Sequence, residues 1–92
     1  MTEPLNNPLP SPSIESLFYM LATSALVNLG EVPNPADQQK KTDLAMARHN
    51  IDTIALLQEK TRGNLTPAED RLCMEILNEL RLKYAATSQV KK

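Results

Sequence analysis

Apolar residues recur at helical spacing in three blocks, and proline or polar runs separate them. In the first block Ile14, Leu17, Phe18, Leu21, Ala25 and Leu29 lie on one stripe of a helix running roughly from Ser13 to Leu29. The rest of that helix is scarcely more polar. Tyr19 and Leu26 flank the stripe on one side, Met20 and Val27 on the other, and no charged residue falls between Glu15 and Glu31. A helix that is apolar nearly all round is normally buried on more than one side.

The second block predicts a helix from near Thr42 or Asp43, either of which can cap it, to about Arg62. Leu44, Ala47, Ile51, Ile54 and Ala55 form its inner face. Arg48, His49, Asp52, Glu59 and Lys60 fall on the outer arc, and a weaker stripe of Met46 and Leu57 with Asn50 and Thr53 sits away from the core face. The third helix starts at Pro67 and reaches about Tyr84 or Ala86, with Leu72, Cys73, Ile76, Leu77, Leu80 and Tyr84 on one broad arc. Arg71 with Glu75 and Glu79 with Lys83 are opposite charges four apart on its other side, each pair worth only ~0.2–0.5 kcal/mol.

The breaks are as telling as the blocks. Gly30 ends the first helix, and Pro33-Asn34-Pro35 opens a turn-rich loop that continues to Lys41. Between the second and third helices, Gly63 suits the left-handed conformation that closes a helix C-terminus. Thr66 then caps the next helix, with Pro67 at its first position and Glu69 three residues on as the partner of a capping box. The pattern predicts an all-α fold of three helices, with the second and third as an antiparallel hairpin and the apolar first helix packed across them. Residues 13–86 make the domain. Residues 1–12, with four prolines, read as a disordered arm, and residues 87–92 as a basic disordered tail.

Two helices that each offer one apolar face cover the main stripe of the first helix but not both of its flanks. The expected consequence is an interface on Met20, Thr23 and Val27, with Tyr19 and Leu26 as the second choice, filled by a second copy of the chain or by a partner protein. The competing expectation is that the loop from Glu31 to Lys41, anchored by Val32, folds back and hides that flank.

Composition narrows the function classes. Ten basic residues against eleven acidic give a formal charge of −1, which argues against a dedicated binder of nucleic acid or anionic membrane. The single Cys cannot make an internal disulfide, and one Cys with one His cannot make a structural zinc set; an intracellular, reducing home fits best. The apolar run from Leu17 to Leu29 is shorter than the ~20 residues of a membrane span and lacks the basic start of a secretion signal.

Candidate chemistry is sparse. His49 and Asp52, three apart, offer two metal ligands and no third nearby. Cys73 as a nucleophile with His49 as its base is opposed by geometry, since Cys73 lies on an apolar arc and His49 on an outer one. Lys60 and Arg62 beside the start of the third helix suggest an anion site, but helix-dipole compensation and the capping box account for them. A helix-turn-helix reader is excluded by Glu69 and Asp70 at the end that would approach DNA. Arg48 with Asp52, and Arg81, read as a solvated face. No catalytic residue, metal or cofactor is expected.

Leu29-Gly30 followed by Pro33-Asn34-Pro35, Asp43-Leu44, Ala47-Arg48, Ile51-Asp52, Lys60-Thr61, Gly63-Asn64-Leu65-Thr66, Glu69, Leu80-Arg81 and Tyr84 together resemble a family of small bacterial proteins known as domain of unknown function 1844. The resemblance spans roughly Ile14 to Tyr84. It implies a compact helical cytoplasmic protein and no particular activity. Relatives encoded near translation genes in some bacteria imply an alternative, an accessory factor of the translation apparatus or another ribonucleoprotein, with RNA or the ribosome as partner. The favoured expectation is a non-catalytic cytoplasmic interaction module that self-associates or binds a partner protein through its first helix.

Overall fold

The computed structural model describes residues 12–90; the expected N-terminal arm, apart from Pro12, and the last two residues of the expected tail lie outside the described residues. Three helices follow in order: α1 (Ile14–Asn28), α2 (Leu44–Lys60) and α3 (Pro67–Val90), and each packs on the other two. No strand occurs among the described residues.

Each helix begins where a side chain satisfies its free amides. Ser13 caps α1, its Oγ accepting from Ser16 N–H at 3.0 Å. Asp43 caps α2, its Oδ1 accepting from Met46 N–H at 3.0 Å. At α3 the bonds are reciprocal: Thr66 Oγ1 accepts from Glu69 N–H (3.1 Å) and Glu69 Oε1 accepts from Thr66 N–H (2.9 Å).

The two glycines do different jobs. α1 ends in a Schellman motif, with Glu31 N–H donating to Leu26 C=O (2.9 Å) and Gly30 N–H to Val27 C=O (3.0 Å). Gly30 supplies the positive φ of +78° that the motif needs. Gly63 has φ +86° but does not close α2. That helix already stops at Thr61, whose N–H and hydroxyl both donate to Leu57 C=O. Gly63 instead sits third in the following turn, which Asn64 N–H closes on Thr61 C=O at 2.8 Å.

Two bonds set α1 against α2. Asp43 N–H donates to Asn28 C=O (2.7 Å), and Asn50 Nδ2 donates to Ser24 Oγ (3.1 Å). Numbers rise on one helix as they fall on the other, so the two run in opposite directions. The same holds for α2 and α3. Arg48, Ile51 and Asp52 share one recess with Arg81 and Tyr84, while Gln58 and Arg62 share another with Pro67 and Met74.

The core between the three helices is built from Phe18, Ala25 and Leu29, Ala47, Ile51 and Ile54, and Cys73, Leu77 and Leu80. Lys83 ties the end of α3 to the segment after α1, with Nζ 3.6 Å from both Glu31 and Glu79. These bridges are partly exposed and contribute little beyond orientation.

Besides the role of Gly63, two expectations from sequence need correction here. Asn50 is not on an outward stripe; it is 5% exposed, between α1 and α2. Its amide tolerates this because Ser24 takes its hydrogen bond. And α3 does not end at Tyr84 or Ala86. It continues through residues 87–89 to Val90, so most of the expected tail is helix. Ala85-Ala86-Thr87-Ser88-Gln89 contains no glycine or proline to stop it, and alanine is the strongest helix former.

Candidate functional site

A helix held from two sides has a third side left over, and the physical question is what that side of α1 offers. Phe18, Ala25 and Leu29 face inward and are almost fully buried. A turn of 100° per residue puts Thr23 on the outer side, roughly 140° round from them, with Tyr19 and Met20 on either side of it. Tyr19 is 56% exposed and Met20 65% exposed, and Thr23 is exposed between them. Ser13, Glu15, Ser16, Tyr19, Met20 and Thr23 line one shallow surface depression on this helix. Ser16 and Thr23 are small, so another backbone could approach closely there, while Tyr19 and Met20 supply the apolar contact area.

The structure divides the five residues expected at an interface. Tyr19, Met20 and Thr23 come together in the open, whereas Leu26 and Val27 are half-buried. Leu26 packs against the core. Val27 borders a cleft made with Asn34, Asp37, Gln39, Lys41 and Thr42 of the following loop. The two flanks, expected as alternatives, are thus one face toward the N-terminal end of α1. The loop borders the other end.

Three further exposed apolar side chains escaped the sequence reading, Leu56, Met74 and Leu82. Leu82, at 72%, is the most exposed large apolar residue among the described residues, and Met74 and Leu82 sit two turns apart on the outer side of α3. Their spacing from the buried Cys73, Leu77 and Leu80 is the signal that would have placed them outward.

The residues considered for catalysis stay apart. His49 is exposed, and Asp52 lies 3.7 Å from Arg48 in an exposed pair. Cys73 is fully buried. Burial pushes its thiol above the ordinary thiol range, Asp70 adds to the rise, and Arg81 offsets part of it. The thiol is held protonated, which makes it a filler of the core rather than a nucleophile. Among the described residues no three His, Cys, Asp or Glu side chains gather to hold a metal ion, and no helix is long and apolar enough to cross a membrane.

A family model described as "Domain of unknown function (DUF1844)" matches residues 11–86, and the chain belongs to that family. No curated protein and no solved structure matches it.

Proposed function

We propose that this chain is a non-catalytic cytoplasmic interaction module that associates with a second copy of itself through α1. The observation that carries the reading is the exposure of Tyr19 and Met20 around Thr23, on a helix with no charge between Glu15 and Glu31. Around Thr23 the face carries no charge, Glu15 lying at its N-terminal edge, so two copies would meet there without like-charge repulsion about a two-fold axis near Thr23. A free, buried cysteine suits a reducing compartment.

Sedimentation velocity from about 1 to 100 µM tests the reading, a range chosen because small interfaces often dissociate near micromolar Kd. The wild-type chain is expected to shift from monomer to dimer across it. Met20→Asp is expected to remain monomeric with an unchanged helical circular-dichroism spectrum, because Met20 contributes little to the monomer core. A wild-type chain that stays monomeric throughout, or a Met20→Asp chain that dimerises as well as wild type, refutes it.

A further inference from the structure

We propose that a recess between α2 and α3 binds the free terminal carboxylate of a polypeptide whose last residue is apolar. Arg48, Ile51, Asp52, Arg81 and Tyr84 line it. Ile51, nearly buried, gives an apolar floor, and the half-buried Tyr84 adds an aromatic ring with a hydroxyl. Arg48 and Arg81 reach it from two different helices.

Charge selects the ligand. Asp52 engages Arg48 through one contact, Nε to Oδ2 at 3.7 Å, with both side chains about two-thirds exposed (70% and 67%). Such a loose surface pair is readily exchanged, and a guanidinium carries five N–H donors, so most of them remain open. Arg81 forms no ion pair among the described residues. Two cations and one anion leave the recess with one net positive charge. That balance suits a monoanionic carboxylate, which planar guanidinium groups bind well. It disfavours a phosphate dianion, which Asp52 would repel.

Size selects further. The recess has a volume of about 220 Å³, below the ~300–1,000 Å³ of sites for cofactors and drug-sized molecules. It equals about seven waters at ~30 Å³ each. One residue with its carboxylate fits, partly protruding. Ile51 and Tyr84 reward an apolar side chain beside the carboxylate, which a chain terminus provides and an internal Glu does not. Capture of a C-terminal carboxylate is an established mode of peptide recognition.

The test is NMR titration of the full-length isotope-labelled chain with N-acetyl-leucine, N-acetyl-leucine amide, N-acetyl-glutamate α-amide and inorganic phosphate. N-acetyl-leucine is expected to move the Tyr84 ring, the Ile51 methyls and the Arg81 Nε–H, with Kd on the order of 1 mM for so small a ligand. The leucine amide should shift none of them. Arg81→Gln should weaken binding at least tenfold while leaving the circular-dichroism spectrum unchanged. Met20→Asp should bind as wild type does, which keeps this test separate from that of self-association. Equal binding of the leucine amide, no binding of N-acetyl-leucine, or equal affinity of the Arg81→Gln chain overturns the proposal. Phosphate binding as tightly at the same atoms reduces the recess to a bare anion site and overturns it too. So does equal binding of the glutamate derivative, which would make the chain terminus irrelevant.

Discussion

Replacing Gly30 by alanine asks two things of the structure at once, and the fold contains the control that separates them. At φ +78° an alanine bears the left-handed penalty of about 1–2 kcal/mol. Reduced freedom of the unfolded chain returns about 0.4–1 kcal/mol, leaving a net loss of about 1 kcal/mol. The new Cβ would also lie 2.8 Å from Thr42 Oγ1. Thr42 must then leave its rotamer, at about 0.5–1.5 kcal/mol. Gly63 has nearly the same backbone, φ +86°, but a Cβ there meets nothing within 4 Å. Gly63→Ala should therefore cost about 1 kcal/mol and Gly30→Ala about 2 kcal/mol, measured by urea unfolding at one fixed protein concentration. For a domain of this size, 1 kcal/mol corresponds to roughly 4–8 °C in Tm. Thr42→Ala alone should change little, since Thr42 is exposed and Asp43 is the cap of α2. Combined with Gly30→Ala, it should bring the loss down to that of Gly63→Ala. Equal losses at the two glycines, or a double variant no better than Gly30→Ala, would show that the contact between the loop and the end of α1 is not as described.

Thr66→Ala removes one half of the reciprocal cap on α3 and should lower stability by about 1 kcal/mol in the same unfolding assay. Ser24→Ala leaves the buried Asn50 amide without its partner and should cost about 1–3 kcal/mol; adding Asn50→Leu should recover part of that loss, and a purely additive pair would contradict the packing described. Cys73 should react with a thiol reagent only as fast as the chain unfolds, and rapid labelling of the native chain would refute its burial. Because the folded thiol titrates above its unfolded counterpart, its contribution is fully present below about pH 8.5 and declines as pH rises through the folded value, where the unfolded chain has already lost its proton. Cys73→Ala should remove that part of the alkaline loss.

What could be read from the chain was what one helix decides for itself. The buried residues of α3 follow from their 3.6 spacing, and the cap at Thr66 and Glu69 follows from residue types three apart. Periodicity misplaces Asn50 because a polar side chain on one helix gives no sign that a serine on another will meet it. The recess of Arg48 and Arg81 is illegible in the sequence for a related reason. Each arginine alone looks like a solvated charge, and only the pairing of α2 against α3 brings the start of one beside the end of the other. The turn at 61–66 fixes that pairing, so the information was present in the chain, though not in any single periodic pattern.

Whether the flank of α1 is open was a question about reach, and the loop answers it through its own hydrogen bonds. Glu31 N–H to Leu26 C=O and Asp43 N–H to Asn28 C=O tie both ends of the loop to the last turn of α1. Between them the chain folds on itself. Asn34 N–H donates to Gln39 C=O (2.9 Å), Gln38 N–H to Asn34 C=O (2.7 Å), and Ala36 N–H to Asn34 Oδ1 (2.8 Å). Gln38 takes a positive φ of 60° to complete that closure, a conformation that costs a side-chain-bearing residue about 1–2 kcal/mol. Residues used in this way cannot extend along α1. Met20 lies seven residues from Val27, about 10 Å up the helix at 1.5 Å per residue. A loop pinned at the far end and curled around Asn34 borders Val27, so the exposure of Tyr19 and Met20 follows from the compactness of a loop held at the other end of the helix.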